Sequence, residues 1–266
     1  MNVLITGASG GLGRAFAICC AQRGCNLLLT DIEENGLYAI QNGLKRQFDG
    51  NILIKRCDMT IDKDVRELMD YANQQNFKLD MLLNVAGIDY EGGFMQRDFL
   101  QISEILSVNV EATLRITHHA LKLRRPEGRF YVVFVSSLAS LYPIPLKATY
   151  AASKRFLLDF SLALGQELKS KNVFVLSLCP GGLCTTQDSL RGIEAQGFWG
   201  SMTTNRIEKV VHQTINRSLR GKRIYIPGMF NRALGLISRF VPAFIIAKLL
   251  YERWSKAQKQ WLVLND

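Results

Sequence analysis

Short apolar runs and longer amphipathic stretches alternate along this chain from its first residues. Runs of strand length occur at Asn2-Val3-Leu4-Ile5, Asn26 to Thr30, Asn51 to Ile54, Met81-Leu82-Leu83, Arg129 to Val135, Val173 to Leu178 and Ile224-Tyr225-Ile226. Their near-continuous apolar content is that of strands buried on both faces. Between them, Leu12 to Arg23, Asp62 to Gln74 and Ile102 to Leu123 carry helical periodicity. Strand and helix in turn predict an α/β fold with a parallel, doubly wound sheet of about seven strands and helices on both faces.

In such a sheet, ligands bind beyond the carboxyl ends of the strands. The residues just after each run are here unusually polar or glycine-rich: Thr6-Gly7-Ala8-Ser9-Gly10-Gly11-Leu12-Gly13, Asp31, Asp58, Asn84-Val85-Ala86-Gly87, Ser136-Ser137 and Pro180-Gly181-Gly182. Gly7, Gly11 and Gly13 lie between a strand and a helix. Glycines there allow a tight turn and close backbone approach to a pyrophosphate, and the helix N-terminus offers free N–H groups. Asp31 ends the second run about twenty residues further on, where a carboxylate accepts hydrogen bonds from an adenosine ribose and repels a 2′-phosphate. It can equally cap the following helix. No Lys or Arg occupies Gly10 or Ile32. NAD is therefore expected ahead of NADP, which is not excluded.

Tyr150-Ala151-Ala152-Ser153-Lys154 puts a phenol and an ammonium on one helix face, a turn apart. A free phenol titrates near about 10, and a neighbouring cation stabilises the phenolate. Carbonyl reduction needs a proton for the oxygen as hydride reaches carbon, which makes Tyr150 the expected acid/base. Ser137, after the fifth run, is placed to hydrogen-bond the same oxygen.

Together, TGASGGLG, the NVAG segment, Ser137, YAASK and PGGLCT stand in the order and spacing of the short-chain dehydrogenase/reductase family, which the chain resembles from Asn2 to about Gly228. The resemblance implies a Rossmann-type fold and an NAD(P)-dependent oxidoreductase that assembles as a homodimer or homotetramer. It implies Asn109, Ser137, Tyr150 and Lys154 as the catalytic set, with Asn109 holding a water that relays protons to the lysine. It assigns the cofactor to Gly7, Ser9, Gly10, Gly11, Leu12, Gly13, Asp31, Asp58, Met59, Asn84, Ala86, Gly87, Tyr150, Lys154, Pro180, Gly181, Leu183 and Thr185. Val85 departs from the family pattern, in which many members carry a second asparagine.

With 266 residues, 48% of them hydrophobic, a mean hydropathy of +0.04 and no linker or repeat, the chain is expected to form a single domain over residues 1–266. Cys19, Cys20, Cys25, Cys57, Cys179 and Cys184 form no CxxC pair and read as small core residues. His118, His119 and His212 lack metal-ligand spacing, so no metal is expected. The N-terminus enters the first run with no signal peptide ahead of it, and a reducing cytoplasm is the expected location. The net charge of +10 does not choose among nucleic acid, an anionic membrane and an anionic ligand. No nucleic-acid-binding motif supports the first.

The segment 186–204 resembles the family's substrate lid, and its Leu190, Ile193, Phe198, Trp199 and Met202 fit either a steroid, bile-acid or 3-oxoacyl-like substrate or simple packing. Residues 229–256 read as a helical extension, with two short amphipathic helices separated by Pro242 between Arg232 and Trp254. Their uncharged stretch is far shorter than the ~20 residues of a membrane span. They are expected to cap the pocket or pack on another subunit, with peripheral membrane contact as the alternative. A sensor that binds NADH without turnover is the rival function, and the Ser/Tyr/Lys set weighs against it.

Overall fold

The computed structural model describes residues 1–184 and 202–263, with side chains described as far as Arg253. Its strands are β1 (Asn2–Thr6), β2 (Asn26–Asp31), β3 (Ile52–Arg56), β4 (Met81–Asn84), β5 (Phe130–Val135), β6 (Val173–Leu178) and β7 (Ile224–Tyr225). All pair in parallel, in the order β3-β2-β1-β4-β5-β6-β7. This is the doubly wound Rossmann sheet, and the order reverses between β1 and β4, where such sheets open a ligand crevice.

Alternation along each strand divides the core in two. Val3 and Ile5 pack on one face with Leu27, Leu29 and Leu83, while Leu4 packs on the other with Leu28 and Leu82. The first face is covered by α1 (Gly11–Ala21), α2 (Glu34–Lys45) and α7 (Ile207–Leu219), through Phe16, Leu37 and Val210. The second is covered by α3 (Asp62–Gln74), α5 (Thr113–Leu123) and α6 (Ala148–Glu167), through Leu68, Ile116 and Leu157. Both faces of the central strands are dry, which is why these runs carry no polar alternation.

The expected helix from Ile102 to Leu123 is interrupted. It comprises α4 (Phe99–Leu106), a π segment over Ser107–Ala112, and α5. A wider turn of this kind leaves the apolar periodicity nearly intact and is invisible to it, yet it sits at Asn109. The tail also differs from expectation. α8 (Met229–Ile237) is short, but α9 (Ala243–Val263) is 21 residues long, with Pro242 just before it. Five cysteines are buried as expected, and Cys184 is exposed because it lies past β6, outside the packed layers. His119 lies 3.7 Å from Asp62 at the packing of α5 on α3, and His118 is exposed. Among the described residues no group of side chains could hold a metal.

Candidate functional site

The glycine loop is built by contacts that admit no side chain. Gly7 has φ +63°, and a Cβ there would lie 2.7 Å from the Ala86 backbone. A Cβ on Gly13 would fall 2.0 Å from the Gly7 carbonyl oxygen. Thr6 ties this loop to the next strand end, its Oγ1 accepting the N–H groups of Val85 at 3.0 Å and Ala86 at 3.2 Å. Val85 is therefore held through its backbone, and the family asparagine is not needed for that link.

Asp31 ends β2 with both carboxylate oxygens engaged, accepting from Ser9 N–H at 2.9 Å and Glu33 N–H at 3.1 Å. The residue at the cap of α2 is Glu33, so Asp31 anchors the glycine loop rather than capping the helix. Asp58 is fixed in its own turn, accepting from Thr60 N–H at 2.9 Å and Thr60 Oγ1 at 2.6 Å. The neighbouring Met59 carbonyl accepts from Arg115 at 2.8 Å. Asn84 donates to Thr117 Oγ1 at 3.0 Å, its Oδ1 buried without a partner. These residues, with Gly7, Ser9, Gly10, Gly11 and Gly13, are not on the wall of the large cavity described next. The bare turn and free α1 N–H groups fit a dinucleotide phosphate, and the partly exposed Asp31 carboxylate fits a ribose.

Beyond the ends of β4, β5 and β6 lies a cavity of about 820 Å³. Ser137, Tyr150 and Lys154 are on its wall with Leu12, Gly87, Pro180, Gly181 and Leu183, so three expected catalytic residues and the expected nicotinamide segment converge there. The loop after β6 is positioned by Leu138 N–H, which donates to the Pro180 carbonyl at 2.7 Å. Thr185 and residues 186–201 of the expected lid lie outside the described residues. From the tail, Leu234, Ile237, Val241, Ile246, Leu249 and Leu250 line the cavity.

Lys154 is buried, and its Nζ donates to the Val135 carbonyl at 3.0 Å and stands 5.7 Å from the Tyr150 ring centroid. Burial lowers its pKa to about 8, against the opposing pull of Asp89. Asn109 is behind the wall rather than on it. Its amide donates to the Ile88 carbonyl at 2.9 Å and Ser153 Oγ at 3.1 Å and accepts from Ile88 N–H at 2.8 Å, so the side chain braces the β4 loop against α6. Gly87 makes room between Lys154 Nζ and Asn109 Oδ1, which a Cβ would approach to 3.0 and 3.1 Å.

One expectation about Tyr150 is corrected. Its pKa is raised, not lowered: burial dominates, Asp89 adds to it, and the hydrogen bond from Ser137 and the charge of Lys147 oppose it without prevailing. Asp89, Glu91 and Lys147 were not foreseen at this site, and Ser136, whose hydroxyl donates to the Lys154 carbonyl at 2.7 Å, and Ser153 stood beside the expected residues without a role assigned to them. Ser136 and Ser153 adjoin motif residues and could have been found by that adjacency. The charged trio carries no spacing signal, because the loop after β4 and the start of α6 meet only in three dimensions.

A family model described as short chain dehydrogenase matches residues 1–196. The chain is 32% identical over 221 residues to the 11-beta-hydroxysteroid dehydrogenase-like 3 of Arabidopsis thaliana, covering 81% of this chain and 70% of that one. It is 29% identical over 200 residues to a very-long-chain 3-oxoacyl-CoA reductase of Pyrenophora tritici-repentis, covering 72% of this chain and 58% of the relative. The chain thus spans little more than half the length of that relative. A short-chain dehydrogenase/reductase from Burkholderia phymatum, solved in complex with NAD, superposes with a TM-score of 0.79 at 21% identity, over 88% of this chain and 91% of that one. At that identity the likeness concerns the fold.

Proposed function

Because the chain belongs to the short-chain dehydrogenase family, we propose that it interconverts a ketone and a secondary alcohol on an apolar, steroid-like or 3-oxoacyl-like substrate, with NAD(H) preferred. The observation that carries this reading is the convergence of Tyr150, Ser137 and Lys154 on one cavity whose remaining wall is mostly apolar. A bound nicotinamide dinucleotide supplies or accepts the hydride. Tyr150, kept protonated at neutral pH by burial, donates its proton to the carbonyl oxygen in the reductive direction. The Ser137 hydroxyl orients that oxygen. Lys154, its pKa lowered to about 8 by burial, lies beside the tyrosine where a proton can be replaced. Asp31 favours a free 2′-hydroxyl, and no basic side chain at Gly10 or Ile32 offsets its charge.

The same reading includes assembly of several copies, supported by exposed Phe99 and Leu100 on α4 and Phe156 on α6. It also includes peripheral contact with a membrane surface, supported by exposed Phe240, Phe244 and Leu249. Among the described residues no helix is long and apolar enough to cross a membrane. The test is turnover of NADH and, separately, NADPH against steroid, bile-acid and 3-oxoacyl ketones, with Tyr150→Phe alongside. Loss of turnover by about 10²-fold or more, with dinucleotide affinity retained, is the expected result. Tight NADH binding without wild-type turnover would favour the sensor instead.

A further inference from the structure

The cavity contains one strongly polar patch that the hydride and proton transfers do not use. Asp89 and Glu91 lie in the loop after β4, and Lys147 immediately precedes α6. Lys147 Nζ donates to Asp89 Oδ2 at 2.7 Å and pairs with Glu91. All three residues are on the cavity wall with Tyr150, and Lys147 Nζ stands 5.8 Å from its ring centroid. The surrounding wall is apolar, contributed by Ile88, Leu138, Ile144 and Val241.

The patch is held rigidly from both sides. Asn109 binds both backbone groups of Ile88, and Gly92 N–H donates to the Leu146 carbonyl at 2.8 Å. Leu146 adopts φ +65°, a conformation that costs a branched side chain of this size energy and that the neighbouring links must sustain. Two carboxylates face the Lys147 ammonium, and the charge of Lys154 on the same wall also acts on Asp89. Asp89 Oδ2 is taken by Lys147, while Asp89 Oδ1 is buried and has no hydrogen-bond partner. A buried acceptor left unpaired destabilises the site, a cost that a donor on a bound molecule removes.

We propose that Asp89 is a specificity-determining residue, accepting a hydrogen bond from a hydroxyl of the substrate other than the reacting oxygen. The substrate class this selects is an apolar ketone or alcohol with a second hydroxyl. The inference rests on the cavity being the substrate site of the proposed reaction.

The experiment compares kcat/KM for rigid androstanone pairs that differ by one hydroxyl, placed at several ring positions, in wild type, Asp89→Leu, Asp89→Asn and Tyr150→Phe. For at least one position the wild type should favour the hydroxylated member by about tenfold or more, as expected for a site with a polar group awaiting its partner. The preference should reside mainly in KM. Asp89→Leu should bring the ratio to within about twofold. Asp89→Asn, whose carbonyl oxygen still accepts, should restore part of it. The ratio within each variant is read, so a general loss of active protein does not mimic the effect, and an Asp89→Leu/Lys147→Met double variant removes the unpaired ammonium if the single variant folds poorly. Turnover abolished by Tyr150→Phe but without any hydroxyl preference, or a preference that survives Asp89→Leu, overturns this inference alone. No turnover of any ketone by the wild type overturns the reaction and the inference together.

Discussion

The two halves of the crevice are built by opposite means. Between β1 and β2 the site is made of backbone: glycines that admit no Cβ, N–H groups at the start of α1, and one carboxylate, Asp31, anchored on the N–H groups of Ser9 and Glu33. Beyond β4, β5 and β6 it is made of side chains, Tyr150, Lys154, Ser137 and the Asp89–Lys147–Glu91 cluster, set into an apolar wall. Backbone construction tolerates almost no substitution but needs no desolvated charge. Side-chain construction is adaptable, and it carries the burial costs that push Lys154 down and Tyr150 up.

The comparison breaks most sharply at Gly13. A methyl group there would have to occupy the position of the Gly7 carbonyl, so Gly13→Ala should cost at least about 3 kcal/mol and abolish measurable dinucleotide binding. Gly10→Ala in the same loop meets nothing nearer than 3.4 Å and has an ordinary extended conformation, so it should cost less than about 1 kcal/mol. Urea midpoints and NADH titrations of the pair measure the difference. Similar losses in both variants would mean that the loop is merely glycine-rich and not sterically closed.

Asp31 tests the same half more gently. Replacing it by Ala removes the carboxylate, and the proposed preference for NADH over NADPH should fall by roughly tenfold, with most of the change in KM. An unchanged ratio would leave Asp31 as an anchor for Ser9 alone. The alternative open in the sequence was a cap for the following helix, and the engagement of both oxygens by the N–H groups of Ser9 and Glu33 shows the structural work Asp31 does instead.

What the sequence made legible follows this division. Motifs of glycine, and the Tyr/Lys pair on one helix face, are local in the chain, so spacing revealed them, and the buried strands announced themselves by unbroken apolar runs such as Leu27 to Leu29. The π segment at Asn109 was hidden because one extra residue per turn barely disturbs helical periodicity. Asp89 and Lys147 were hidden because their contact joins segments 58 residues apart, with no pattern linking them. The direction of the Tyr150 shift was misjudged because sequence shows the neighbouring cation but not the depth of burial that outweighs it.

The effect that isolates burial from chemistry is the pH dependence of stability at Lys154. Its folded pKa of about 8 lies below the 10.5 of an ordinary lysine, so well below pH 8 both folded and unfolded chains hold the proton and the folded state bears the full cost of a buried ammonium. Between about pH 8 and 10.5 the unfolded chain binds more protons than the folded one, and this residue's contribution to stability rises with pH. Above that window both are neutral and the electrostatic cost is gone. Lys154→Met removes the titration, so its stability relative to wild type should be most favourable below pH 8 and should decline across the window, as read from urea midpoints at matched ionic strength. A difference that stays flat from pH 7 to 10.5 would mean that the lysine keeps an ordinary pKa despite its burial, and that the side-chain half of the crevice holds its charges without the strain on which its contrast with the glycine half depends.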